Sequence, residues 1–188
     1  MENIIYINNT EDQLKFTNSG DKLEIEGYCC HFDRRNLNGE ITHFNSFDTF
    51  FAAYQKGTIK PKINVEHDNN RIIGGIDDID RDSTGLYIVA HINKGIPYVS
   101  DWLIPNIEAG DINSFSSEGF PVGGYDSIVF NDKDQSYTVL DFMLTAVAIV
   151  AHPADTKAEF TVKNYLNMKP TDKEVEEEVK KSKWYLFV

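Results

Sequence analysis

Three serines fall within four positions of one short stretch, Gly110-Asp-Ile-Asn-Ser-Phe-Ser-Ser-Glu-Gly-Phe120. The stretch follows a predicted helix and is itself predicted to be a strand that ends at a Pro-Val-Gly-Gly turn. Side chains alternate between the two faces of a strand, so Ser114 and Ser116 share one face while Phe115 and Ser117 share the other. Only one of these two sets can face a site.

A histidine lies upstream in Ile63-Asn-Val-Glu-His-Asp68, where a short apolar strand ends at His67. A serine and a histidine on separate strands can form a nucleophile and its base if the fold brings them together. The neighbouring carboxylates Glu66 and Asp68 could fix the tautomer of the ring. The alternative is a surface histidine at a turn.

Ser117 precedes Glu118-Gly-Phe120. Glycine next to a nucleophile lets the backbone approach a substrate and can supply oxyanion N–H groups. The complete Gly-x-Ser-x-Gly motif of the α/β-hydrolases is absent. A polar strand edge before a turn is therefore the alternative interpretation of this segment.

Composition narrows the classes of function. The chain has 188 residues and a formal charge of -12, which disfavours binding to nucleic acid or to anionic membranes. No apolar run approaches the roughly 18 residues of a membrane span, and the first residues do not resemble a signal peptide. The two cysteines, Cys29 and Cys30, are adjacent and unsuited to a relaxed disulfide, so we expect a reducing, cytosolic compartment.

Neither of two candidate metal motifs has the required spacing. Cys29-Cys-His31 lacks the separation of two or more residues that zinc sites place between cysteines. The acidic run at 78–82 alternates like the start of an EF-hand, but Ser83 and Val89 stand where that loop needs Gly and Glu. We predict a solvated hairpin turn there, and neither a metal nor a cofactor.

The spacing of apolar residues along the rest of the chain predicts an α+β fold that is mainly β, with a few helices. Phe47, Phe50, Phe51 and Tyr54 mark one face of a helix that ends at Gly57. The other predicted elements are strands at 22–32, 71–79, 85–92 and 137–150, and a helix at about 101–109.

The last residues differ from the rest of the chain. We predict one domain at 1–165 and a charged helical tail at 166–188, beginning near the capping box Thr171-Asp-Lys-Glu174. The tail ends in the apolar run Trp184-Tyr-Leu-Phe-Val188. That run either folds back onto the domain or docks onto another protein.

Several short motifs, taken in order, resemble the prohead proteases of tailed bacteriophages, over roughly residues 22 to 163. They are Gly27-Tyr-Cys-Cys-His-Phe32, Val65-Glu-His-Asp68, Ile73-Gly-Gly75, Asp82-Ser-Thr-Gly-Leu86, Ser117-Glu-Gly-Phe120 and Val147-Ala-Ile-Val150. The resemblance implies a serine peptidase with a small assemblin-like β-barrel flanked by helices. It places the family histidine on His67 and the family serine on Ser117.

The same resemblance implies where such an enzyme works. It would lie in the host cytoplasm inside the procapsid, and cleave major capsid protein and scaffold segments, and in many members itself. The resemblance is compatible with a homo-oligomer of this chain.

One position departs from the resemblance. Many prohead proteases carry a glutamate in the long strand where this chain has Ala146. Asp141 and His152 are therefore the candidates for a third catalytic member. The alternative is a weakened or inactive protein on the same fold, which assists capsid assembly or contacts the scaffold.

Overall fold

The protein is described from a computed structural model that covers residues 7–8, 13–14, 18–19 and 21–163. The strands are β1 (Ile7–Asn8), β2 (Gln13–Leu14), β3 (Asn18–Ser19), β4 (Lys22–His31), β5 (Glu40–Thr42), β6 (Lys62–Val65), β7 (Asp68–Arg81), β8 (Gly85–Asn93), β9 (Ser114–Pro121), β10 (Ile128–Asn131), β11 (Ser136–Val139), β12 (Phe142–Val150) and β13 (Phe160–Lys163). The α-helices are α1 (Asp48–Gln55) and α2 (Ile104–Ala109).

Most strands join one large sheet in the order β13-β4-β8-β7-β6-β12-β9, with β3 added beside β4. All neighbouring strands on this path are antiparallel except β12 and β6, which run parallel. A smaller sheet has the order β10-β11-β5. The large sheet is curled into a half-barrel, so the predicted mainly-β fold with flanking helices is confirmed.

The core forms where the inner face of the large sheet meets the helices. Strand β8 alternates as Gly-Leu-Tyr-Ile-Val-Ala-His-Ile-Asn, and Leu86, Ile88 and Ile92 are fully buried. Burying such a side chain stabilises the fold by roughly 1.5–3 kcal/mol. Phe47 and Phe50 cover this core from the first helical segment, which confirms the predicted aromatic helix.

The second predicted helix is also present, and it tolerates its proline for a simple reason. A π-helical turn spans Val99–Leu103, and α2 then begins at Ile104. Pro105 therefore lies in the first turn of α2, which is where helices accept proline most readily. Gly110 ends the helix in the left-handed conformation, with φ of 81°.

Two predicted boundaries are wrong. The segment at 137–150 is not one strand, because the chain leaves the small sheet after β11 and enters the large sheet at β12. Asp141 lies at this crossing, where its carbonyl accepts the Val122 N–H and its carboxylate accepts the Thr49 hydroxyl. The strand predicted at 71–79 begins earlier, at Asp68, because the turn before it lies at Glu66 and His67.

The predicted tail at 166–188 lies outside the described residues, so its division from the 1–165 domain stays a prediction. Within the described residues, neither helix has the length and apolar character that crossing a bilayer requires.

Candidate active site

A tight turn between β6 and β7 presents His67. Val65 pairs with Asp68, which leaves Glu66 and His67 as a two-residue loop with φ values of 52° and 58°. Turns of this kind fit the twist of a β-hairpin, but non-glycine residues adopt them at a cost of about 1–3 kcal/mol each. The Glu66 carboxylate offsets part of this conformational cost by accepting a hydrogen bond from the Ala151 N–H at 2.9 Å. The turn is thereby fixed to the end of β12.

The His67 ring bridges two residues of β9. Its Nε2 lies 3.1 Å from Ser116 Oγ, and its Nδ1 lies 3.1 Å from Glu118 Oε2. Ser116 and Glu118 are two positions apart on one strand, so alternation sets both on the same face. One imidazole therefore contacts a hydroxyl and a carboxylate from the same strand.

Strand β12 runs between β6 and β9, and its small side chains make these contacts possible. Ala148 pairs with both Asn64 and Ser116, and Ala146 pairs with Glu118. Directly paired residues share a sheet face, so only two methyl groups lie between the polar groups of β6 and β9. Asn64 reaches across them and donates its side-chain N–H to Glu118 Oε2 at 3.0 Å.

The hydrogen bonds determine the charge on Glu118. Partial burial raises the pKa of its carboxyl, but hydrogen bonds from Asn64, His67 and Asn69 outweigh burial and hold that pKa below its usual range. Glu118 is therefore a carboxylate at neutral pH and accepts a hydrogen bond from Nδ1–H of His67. In the neutral ring this leaves the lone pair on Nε2, directed at the hydroxyl of Ser116. The ring has the tautomer that a general base needs.

A cavity of about 130 Å³ lies beside this arrangement. Ser116, Ser117 and His67 line one part of it, and the segment at 29–42 together with Asp155 lines the rest. A second imidazole–carboxylate pair belongs to this lining, because Nδ1 of His31 lies 2.8 Å from Asp155 Oδ2.

The cysteines that line the cavity are poor nucleophiles. Burial raises the pKa of the Cys29 thiol well above its ordinary value, and raises that of Cys30 to about 12. Cys30 Sγ also lies 3.1 Å from the Thr42 hydroxyl. Both thiols stay protonated at neutral pH, and thiols react as thiolates. Within the described residues, no group of three or more His, Cys, Asp or Glu side chains is arranged to hold a metal ion.

The predicted pairing of Ser117 with His67 is corrected by this geometry. Ser117 pairs with Val147 on the opposite face of β9, and the hydrogen bond predicted for it is made by Ser116. His67 itself is where the sequence analysis placed it, at the end of the β6 strand.

Neither Asp141 nor His152, the residues predicted as the third catalytic member, provides the carboxylate that contacts Nδ1 of His67. Asp141 contacts Thr49 at the far end of β12, and His152 is an exposed residue beyond the other end of that strand. Glu118 takes this position at His67, and sequence reasoning missed it. The signal was available as Ser-x-Glu on one strand, because residues two apart share a face.

Comparison with known proteins shows the family of the chain. A model of the caudovirus prohead serine proteases matches residues 10–173, which is most of the chain. The protein belongs to this family. It is a protease of the prohead type, and the predicted resemblance is confirmed. Sequence comparison with curated proteins finds no match.

Solved structures show the same fold. The capsid assembly protease gp21 of bacteriophage T4 is 20% identical, with a TM-score of 0.56, and the match covers 79% of this chain and 90% of that one. The KSHV protease bound to a hexapeptide phosphonate inhibitor is 9% identical, with a TM-score of 0.50, covering 86% and 76% of the two chains. At these identities the likeness shows a shared fold between this prohead protease and the herpesvirus protease.

Proposed function

We propose that the protein is a serine endopeptidase in which Ser116 is the nucleophile and His67 is its general base. The single observation that carries the proposal is the His67 ring, which contacts a serine hydroxyl through Nε2 and a carboxylate through Nδ1. This is the arrangement of a nucleophile, a base and an orienting acid. Family membership supplies the peptidase class.

The geometry supports a reaction in two stages. In the first, Ser116 Oγ bonds to the carbonyl carbon of the substrate while Nε2 of His67 takes the hydroxyl proton. The tetrahedral intermediate collapses when the C–N bond breaks, and His67 returns the proton to the leaving amine. In the second stage water attacks the acyl-enzyme with His67 again as base, which releases the new carboxyl terminus and restores Ser116.

The substrates we propose are the major capsid protein and scaffold segments inside the procapsid in the host cell, with self-cleavage as a further reaction. Support comes from the prohead family and from the fold shared with a capsid assembly protease of bacteriophage T4. The net charge of -12 agrees with protein rather than nucleic acid as the substrate.

Diisopropyl fluorophosphate tests the nucleophile without knowledge of the cleavage sequence. An activated serine attacks phosphorus, forms an O–P bond and releases fluoride. We expect the full chain to be labelled on Ser116, as located by peptide mass spectrometry, and Ser116→Ala to lose the label. Ser117→Ala is the matched control, because it removes the adjacent hydroxyl from the opposite face of β9, and we expect it to keep the label.

Co-expression with the capsid protein tests the reaction itself. We expect the wild type and Ser117→Ala to process the shell, and Ser116→Ala to leave it uncleaved. Label on Ser117 would contradict the assignment of Ser116. A wild type that neither labels nor processes would overturn the peptidase proposal and favour the non-enzymatic assembly protein.

A further inference from the structure

We infer that Glu118 is the positioning carboxylate of His67, so that nucleophile and acid are both supplied by β9, in the unit Ser116-Ser-Glu118. This inference rests on the proposed function. The resemblance places the acid at position 146 of the neighbouring strand, where this chain has alanine.

The first support is the spacing of the two residues on β9. Positions two apart on a strand are separated by roughly 6.5–7 Å. An imidazole contacts both when its ring nitrogens point along the strand, and the two 3.1 Å distances show His67 in this orientation. Acid and base are therefore held by a single local segment and one turn.

The second support is the register between β9 and β12. Glu118 pairs directly with Ala146, so both side chains start from adjacent points on the same sheet face. Ala146 is buried, with 3% of its surface exposed. A glutamate at 146 would occupy the same space, and two carboxylates side by side repel each other. The site therefore has room for one acid, from either strand.

The third support is the second contact that fixes Glu118. Asn64 is fully buried and donates to the same Oε2 atom that faces His67. The backbone of Glu118 is also fixed, because its carbonyl accepts the Thr145 hydroxyl at 3.2 Å. The carboxylate is held in place independently of the histidine, as a positioning group requires.

The test measures the rate of labelling by diisopropyl fluorophosphate as a function of pH. We expect Glu118→Gln to lower the plateau rate by about 10²–10⁴-fold, the range over which orienting acids act. The midpoint of the acid limb should also move to lower pH, because a neutral amide no longer stabilises the imidazolium. A purely structural role would not move this midpoint. Asp155→Asn is the matched control, since it neutralises the carboxylate that contacts the other histidine of the cavity and should leave the midpoint unchanged.

A double variant tests whether the two strand positions are equivalent. Glu118→Ala should lose labelling, and Ala146→Glu in that background should recover it by about 10-fold or more, because its carboxylate enters the vacated space. Thermal melts identify any variant that fails to fold, in which case the isosteric Glu118→Gln decides the matter.

The outcomes separate the two proposals. A wild type that is not labelled removes the proposed function itself. A labelled wild type, with Glu118→Gln equal to it in rate and midpoint, leaves the peptidase intact and overturns the role of Glu118. Failure of Ala146→Glu to restore labelling would overturn the claim that either strand can supply the acid.

Discussion

Two histidines that each contact a carboxylate, His67 and His31, line the same cavity, yet the two pairs differ in exposure and in what their rings contact. In the pair of His67 and Glu118 the histidine side chain is 45% exposed, and its second nitrogen contacts a serine hydroxyl. In the pair of His31 and Asp155 the side chains are only 13% and 14% exposed. The presence of a histidine and an acid in a cavity therefore does not identify a catalytic base.

The bonds of Asp155 show what the second pair does instead. One oxygen of Asp155 accepts both the backbone N–H and the ring of His31, and the other accepts the Lys157 N–H. Burial raises the pKa of the Asp155 carboxyl, but these hydrogen bonds outweigh it and the net pKa is lowered. Asp155 thus ties the loop after β12 to the end of β4. We interpret this pair as a structural anchor.

Replacing each histidine should give the largest contrast. We expect His67→Ala to reduce labelling of Ser116 by about 10³-fold or more, because the general base is lost. His31→Ala should keep labelling within about 10-fold, provided that the protein remains folded. Rates of labelling by diisopropyl fluorophosphate and thermal melts of both variants measure the contrast.

A larger loss of labelling in His31→Ala than in His67→Ala would contradict this contrast between the two pairs. A His31→Ala protein that melts like the wild type but no longer labels would assign chemistry to the second pair.

Removing the acid of the anchor should reduce stability. We expect Asp155→Asn to lower the free energy of unfolding by about 1.5–3 kcal/mol at neutral pH, the range for hydrogen bonds to charged groups. A carboxyl with a lowered native pKa stabilises the fold above its unfolded pKa of about 3.9, and this contribution is lost as the pH falls through the native pKa. The difference from the wild type should therefore shrink in acid.

Urea denaturation at pH 7 and at pH 3 measures this difference. Labelling rates of Asp155→Asn at pH 7 should stay near those of the wild type, and a stability difference that grows in acid would contradict the anchor.

The smallest expected effect concerns the thiols that line the cavity. Because burial raises the pKa of Cys30 to about 12, thiolate is scarce at pH 8 and iodoacetamide should alkylate the native protein far more slowly than the urea-unfolded chain. Mass spectrometry of timed samples measures the ratio of the two rates. Alkylation of the native protein as fast as of the unfolded chain would show that the cavity opens widely, and would weaken the contrast between its two ends.

Sequence reasoning located the elements more reliably than the contacts between them. The antiparallel pair of β7 and β8, the aromatic helix and the strand carrying the serines were all predictable, because each has a local period or a turn signal. His67 was also predictable as a strand-end residue. The break in the long apolar segment at Asp141 was not, because it depends on which sheet each half joins.

The serine that contacts His67 shows why the contacts of the site could not be predicted from the sequence. The choice between Ser116 and Ser117 depends on the face of β9 that is turned toward His67, and alternation alone does not supply it. Glu118 depends on the register between β9 and β12, which sequence order does not reveal. The sequence did contain the pattern Ser-x-Glu, but nothing in it showed that a histidine from another hairpin would lie over these two residues.

The paired alanines of β12 have a consequence for mutational tolerance. Ala146 and Ala148 look like ordinary core positions, since both are almost fully buried. Yet the path from Asn64 and His67 to β9 runs over their methyl groups. An otherwise conservative change such as Ala148→Val would insert two carbon atoms into that path and separate the base from its serine. Selection at these two positions would then act on the geometry of His67 and Ser116.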